Sequence, residues 1–472
     1  MNESMAQSFM PAAILDWLDE ILKERISPHL VLSRGPGGTH LILSLPNSPV
    51  DIRIASDFGS FSHDGSDLPC GRWDAMSEGW RSAIGQPLPA PGQVRGYGAL
   101  IERTPTGYVI HYDLLGMCFW MLSRREELGR TDLDSHGRFP STASHAHRHD
   151  YLQRPVVDEW LYVLRQVAQR TWPNLPLASP RFSIRVSHDV DWPSRYGFGS
   201  VRQMLRLAAA DGLKRHDARA LRAPLIWQRS RRQLHPADPF NTFDWLMTLS
   251  EQHELTSAFY FICGRTDPAR DAWYEPEDAA IRDLMRRIHQ RGHEIGLHAS
   301  YDTYRQPSVL AQEARRLRQI CAEENIRQPQ WGGRMHYLRW EMPTTLYGWE
   351  RAGMDYDNSL TYADAAGFRC GTCFSYQAFD ARQNQRLRLR IQPLIAMEKS
   401  VIGPAYQNLA AGESARAVFT QLKDACQAVG GCFTLLWHNS ELDDTGRRTL
   451  YAALLGSSVQ PRSLGGVPLT AR

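Results

Sequence analysis

The segment Ser187-His188-Asp189-Val190-Asp191-Trp192-Pro193 sets two carboxylates two residues apart at the end of an apolar run. In an extended chain residues i and i+2 point to the same side, so Asp189 and Asp191 share a face and His188 turns away. Without a cation, like charges that close would raise one of the two pKa values. With a histidine in reach, the pattern suggests one metal ligand and one base. The bland alternative is a pair of caps for the loop that follows. His298, Arg334, Asp355 to Asp357 and Trp437-His438 also end apolar, β-prone runs.

The elements that must position these residues follow from the hydrophobic pattern. From about Arg181 seven strand candidates appear: FSIRVSHD, SAFYFICG, HEIGLHA, QWGGRM, MDYDNS, RLRIQPLIAM and CFTLLWH. Helical patterns such as NTFDWLMTLSEQ, PEDAAIRDLMRRIHQRG and ESARAVFTQLKDACQAVG lie between them. Alternating strands and helices predict a parallel β/α architecture, a barrel of the TIM type. In such a barrel the C-terminal strand ends converge on one face. Asp189, Asp191, His298, Arg334 and His438 should therefore meet. Residues 194–239, rich in Arg and Lys, read as an insertion after the first strand.

Ahead of the barrel lies a mixed α+β part. Ile14, Leu15, Leu18, Ile21 and Leu22 define an amphipathic helix, and Gly35-Pro36-Gly37-Gly38 between two apolar runs signals a hairpin. A helix is expected from about Asp113 to Leu128, a loop from Thr131 to Asp150 and a second helix from Pro155 to Trp172. The proline-rich stretch from Pro173 to Pro180 marks a boundary, giving a first domain of residues 1–178 and a barrel domain of 179–472.

Composition narrows the function classes. The 472 residues are 42% hydrophobic and 22% charged, which excludes a disordered, collagenous or coiled-coil chain. A net charge of +3 implies no overall pull toward nucleic acid or anionic lipid. The 14 Trp, 17 Tyr and 16 Phe suit a core and also a sugar site, where a ring can floor the sugar's C–H face. The most apolar stretch, Leu114 to Leu122, is about half the length a membrane span needs. No secretory signal is visible at the start, so a cytoplasmic protein is expected. Eight scattered cysteines fit a reducing compartment. The one close pair, Cys370-Gly371-Thr372-Cys373, lacks a second pair and is read as structural, and His145, His147 and His149 as solvated loop residues.

The barrel half resembles the polysaccharide deacetylases, the NodB-homology or carbohydrate esterase family 4 group, over about Arg181 to Ser440. Asp189-Val190-Asp191 matches a DxD variant of that family's first motif. Gly292-His293-Glu294-Ile295-Gly296-Leu297-His298 matches the lead-in and first ligand of its second, and Leu436-Trp437-His438 matches its Leu-x-His. Arg334 in Gly332-Gly333-Arg334-Met335-His336-Tyr337 is similar to the third motif's arginine, and Asp355-Tyr356-Asp357 loosely to the fourth. With LLGMCFWMLSRREEL and GFRCGTCF, the whole chain is similar to a long two-domain bacterial subgroup found alongside surface-polysaccharide genes. The resemblance implies a distorted TIM-like deacetylase barrel after the α+β domain, and a divalent metal, with Zn²⁺ the expected ion. Asp191 and His298 take ligand positions. Asp302 stands where the family has its second histidine. Either Asp302 ligates through oxygen, or it points away and His336 or a water completes the shell. Asp189 takes the base role and His438 the acid role. Arg334 would orient Asp189 and Asp357 would orient His438. Leu436, Trp192, Trp437 and His336 are candidates for the substrate pocket, although large aromatics beside a site also serve as packing.

The expected reaction is removal of an N-acetyl group from a sugar that is nucleotide-, lipid- or oligosaccharide-linked, in surface polysaccharide biosynthesis, with no nucleic-acid partner. Two other readings stay open: a glycan or nucleotide-sugar binding protein without turnover, and a metal-free cyclic-amide hydrolase on the same barrel.

Overall fold

The computed structural model describes residues 9–92, 98–214 and 216–456. The apolar runs after residue 181 form one nine-stranded sheet. Its strands are β1 (Ser183–Val190), β2 (Ser257–Ile262), β3 (Glu294–Ala299), β4 (Gly332–Met335), β5 (Tyr356–Asp357), β6 (Tyr376–Asp380), β7 (Gln385–Ile391), β8 (Ala396–Met397) and β9 (Cys432–Leu436). The spatial order is β6-β7-β5-β4-β3-β2-β1-β9-β8. Every neighbouring pair is parallel except β6 with β7, which form an antiparallel hairpin.

Each of the seven expected strands has a counterpart, but the sheet differs from a closed TIM barrel. The run RLRIQPLIAM divides between β7 and β8, and β6 pairs with β7 rather than continuing a β/α alternation. The sheet is therefore open between β6 and β8. Segment 360–371 runs beside the β8 end of the sheet and satisfies backbone groups there. Gly367 donates to the Ile395 carbonyl and Leu394 to the Leu360 carbonyl, at 3.0 and 3.1 Å.

The sheet is nonetheless strongly curled. In a flat sheet β4 and β1, three strand spacings apart, would stand about 14 Å from each other. Yet the Arg334 guanidinium on β4 donates to Asp189 Oδ1 at 2.5 Å and Ser187 Oγ at 2.7 Å, both on β1. Tyr260 on β2 reaches Tyr356 on β5 in the same way, hydroxyl to hydroxyl at 3.1 Å. Side chains bridge the concave face, so it is a packed interior.

The N-terminal part carries a five-stranded sheet in which the expected hairpin, Val31–Arg34 with His40–Ser44, is antiparallel. Gly37 and Gly38 make its turn at φ of +70° and +71°, a region that favours glycine. The first helix, Ala12–Arg25, buries the predicted face together with Trp17. Trp17 stacks on Phe379 at 4.8 Å and donates to the Gln377 carbonyl at 2.8 Å, covering edge strand β6.

The helix expected over Asp113 to Leu128 is shorter, running Leu114–Leu122. Asp113 caps it by accepting from the Gly116 N–H at 2.7 Å. It stops because Arg124 turns left-handed, at φ of +55°, and buries its guanidinium against Glu126 and Glu127. His145 is not solvated. It lies in a short helix, His145–Arg148, with its ring bonded to the Tyr151 hydroxyl and the Leu68 carbonyl. Cys370 and Cys373 are buried free thiols, and Asp158 fixes their loop by accepting from the Cys373 N–H at 2.8 Å and the Thr372 hydroxyl at 2.6 Å. One hydrophobic cluster runs through both parts of the chain. No helix among the described residues is long and apolar enough to cross a membrane.

Candidate metal centre and its cleft

The strand ends gather around a cleft of about 250 Å³ lined by Asp189, Asp191, Trp192, His298, His336, Leu436 and His438, among others. Along β1 the alternation works as the sequence requires. Ser187 and Asp189 face inward to Arg334, whereas His188 turns out, bonds the Trp437 carbonyl through Nδ1 at 2.7 Å and packs on Phe259. Burial there pushes the His188 pKa down to about 4.

Asp191, His298 and His336 each offer one donor atom, all within 4.8 Å of one another. His298 Nε2 lies 3.2 Å and His336 Nε2 3.7 Å from Asp191 Oδ1. That oxygen is buried and accepts no hydrogen bond, a costly state for a carboxylate unless a cation meets it. Both imidazoles are set for ligation by their far nitrogens. His298 Nδ1 donates to the Arg334 carbonyl at 2.9 Å, and His336 Nδ1 to Asp271 Oδ1 at 2.8 Å. Each bond fixes the proton on Nδ1 and leaves the Nε2 lone pair facing Asp191, the arrangement metal-ligating histidines adopt. One carboxylate and two imidazoles form a donor set suited to Zn²⁺, with room for a further ligand.

Asp189 sits beside this cluster. Burial raises its pKa, but Arg334, His298 and His438 outweigh that and hold its carboxyl below the ordinary value. His438 faces the carboxylates, its Nε2 3.6 Å from Asp191 Oδ2 and 3.9 Å from Asp189 Oδ2. Its Nδ1 is bonded to the buried Glu398 carboxylate. Burial alone would depress the His438 pKa; Glu398 overcomes it, and the net shift is upward.

Three expected positions lie elsewhere. Asp302 is not in the donor cluster: its carboxylate pairs with Arg339 at 2.5 Å, and the side chain is 42% exposed. His336, expected either in the substrate pocket or as the residue that completes the shell when Asp302 points away, stands at the third donor position. Asp357 does not touch His438. It accepts from the Ser359 N–H at 2.9 Å and Trp340 Nε1 at 3.1 Å, and burial lifts its pKa to about 6. Trp437 points away from the cleft and packs between Phe419 and Tyr451, because it alternates with the inward-facing Leu436. Trp192 does line the cleft, edge-on to Trp273 at 4.4 Å.

Sequence reading missed Glu398, Asp271, Lys399 and Arg138. Glu398 and Lys399 directly follow β8, so the rule that strand ends face the site could have found them. Asp271 sits in an irregular loop and Arg138 comes from the N-terminal part, where no motif signals them.

Comparison with known proteins gives limited matches. A family of unknown function, DUF7033, matches residues 61–173. No curated protein matches the chain. Among solved structures, a "putative polysaccharide deacetylase" from Mycobacterium smegmatis is similar at 13% identity and TM-score 0.38, over 59% of this chain and 84% of that one. A "probable polysaccharide deacetylase" from Pseudomonas aeruginosa PAO1 is similar at 14% identity and TM-score 0.35, over 58% and 84%. Puue allantoinase is similar at 12% identity and TM-score 0.34, over 58% and 83%.

Proposed function

We propose that the protein is a metal-dependent hydrolase that removes an N-acetyl group from a sugar. The observation that carries this reading is the buried, unpartnered Asp191 Oδ1 facing the Nε2 atoms of His298 and His336. A divalent ion held by these three residues, Zn²⁺ by the donor set, would supply Lewis acidity toward an amide carbonyl and a water near neutral pH. Asp189, ionised and steered by Arg334, is the general base. His438 stays protonated beside Glu398 and gives its proton to the leaving amine, which departs poorly without one. Leu436 forms the apolar wall against the acetyl methyl, and Trp192 the flank of the sugar.

The test is metal analysis of purified protein together with acetate release from acetamido sugars in free, nucleotide-linked and lipid-linked form. Close to one divalent ion per chain and acetate release lost on chelation are expected. Stoichiometric metal without acetate release from any of them would favour a binding role. Turnover of metal-free protein would overturn the reading.

A further inference from the structure

Positive charge is not spread over this molecule. Residues 194–239 hold ten Lys or Arg against three Asp, a net +7 in a chain whose total is +3, so the remainder carries −4. The same insertion holds five of the ten most exposed large apolar side chains among the described residues: Val201, Leu205, Leu213, Leu221 and Leu225. Leu205, Leu213 and Leu221 are 55%, 78% and 87% exposed.

The helix Val201–Lys214 separates these groups by face. Met204, Leu207, Ala208 and Asp211 point inward, into a small cluster with Tyr196, Ala223 and Ile226. Arg202, Leu205, Arg206 and Leu213 recur on the opposite, outward face at helical spacing. Leu221, Arg222 and Leu225 are exposed in the next turn and helix, which pack against this one. The acidic groups do not neutralise it. Asp211 is held by Arg195 and Tyr196, Asp217 by Arg219, and Asp238 by Ser194 and backbone N–H groups. Arg202, Arg206 and Arg222 make no ion pair with a described residue.

We infer that this insertion docks the protein on an anionic lipid surface. Leucines facing water beside exposed arginines are the pattern of interfacial helices, whose apolar side chains enter the acyl boundary while the cations meet headgroup phosphates. A second copy is disfavoured as the occupant because two faces of net +7 repel. Nucleic acid would engage the arginines but gives the outward leucines nothing to enter. The insertion starts three residues after Asp191 in the chain. The inference is independent of the chemistry proposed above.

The test is flotation of the full-length protein with vesicles of phosphatidylcholine alone or mixed with phosphatidylglycerol. Wild type should float with the mixed vesicles, less so in high salt. The Arg202→Gln/Arg206→Gln/Arg222→Gln variant should lose roughly a hundredfold in partition, and the Leu205→Ser/Leu213→Ser/Leu221→Ser variant at least as much. All six side chains are solvent-exposed, so the circular dichroism of both variants should match wild type. Wild type left unbound by mixed vesicles, or both variants floating as wild type does, overturns the inference. So does a stable oligomer that the leucine variant dissolves, or tight nucleic-acid binding without vesicle binding.

Discussion

The position of one proton on each imidazole decides what the cleft residues can do. On His336 the proton sits on Nδ1, toward Asp271, which frees Nε2 as a donor beside Asp191. Asp302 offers nothing comparable, since Arg339 holds its carboxylate. His336→Ala should therefore lose most of the bound metal, while Asp302→Ala keeps it, as read by metal content per chain after dialysis. The opposite result would put the third ligand at Asp302. His438 differs because its partner is an anion. The folded-state pKa is raised, so the ring keeps its proton above the ordinary histidine range and loses it as pH rises through the raised value. Glu398→Gln removes the raising charge and leaves burial to lower the pKa. The alkaline limb of kcat/KM should move to lower pH, with a loss at pH 8 on the order of tenfold or more. An unmoved limb would mean that Glu398 does not set the protonation of His438.

Elements hold these residues through groups of their own. The helix Pro307–Glu323 sends the buried Glu313 to the loop after β3, where its carboxyl accepts from the Ser300 N–H at 2.9 Å. Burial lifts the Glu313 pKa to about 7, against an ordinary 4.5. A raised carboxyl favours folding fully below pH 4.5, and that contribution is lost as pH rises toward 7. The shift corresponds to at most about 3 kcal/mol. Glu313→Gln imitates the neutral acid, so urea unfolding at pH 5 and pH 8 should show the variant gaining 2–3 kcal/mol, approximately, on wild type over that interval. Parallel pH dependence would mean that Glu313 is not neutral when folded. Such a residue also marks where sequence reading stops. Strand ends, the DxD alternation and His298 were legible because the period of two and the order of β/α units determine them. Asp302 and Asp357 lie elsewhere because local spacing does not say which neighbour claims a carboxylate, whereas the alternation that turns Leu436 inward already turns Trp437 away. The open sheet was not legible either: no strand was expected over 376–380, where β6 forms an antiparallel edge.

Across the whole molecule the N-terminal part reaches into the cleft. Arg138 donates to the Tyr337 carbonyl at 3.1 Å and the Tyr406 hydroxyl at 3.0 Å, while Asp134 holds its Nε at 2.7 Å. Tyr337 and Leu338, which follow His336, both adopt positive φ, at +60° and +59°. Non-glycine residues in that region cost on the order of 1–3 kcal/mol each and persist only where surrounding bonds impose them. Arg138 supplies one such bond, and Arg339 ties the same corner to the His136 carbonyl at 2.7 Å. A separate contact joins the two parts away from the cleft. Glu127 lies buried between Arg124 and Arg369, which overcome the upward push of burial and hold its pKa near 2. These two links should come apart under mutation. Glu127→Gln leaves two buried guanidinium groups without their shared carboxylate, a loss of about 3–5 kcal/mol, yet should bind metal as wild type does. Arg138→Ala removes a buried cation whose partner Asp134 is half-buried, and should cost less stability than Glu127→Gln, whose partners are both fully buried. It frees the strained turn that aims His336, and disturbing the groups that orient a ligand weakens metal affinity by roughly 10–100-fold. The comparison needs thermal unfolding and a metal titration on both variants. If Arg138→Ala binds metal as tightly as wild type, the N-terminal part does not position His336, and the strain at Tyr337 and Leu338 is held entirely from within the barrel.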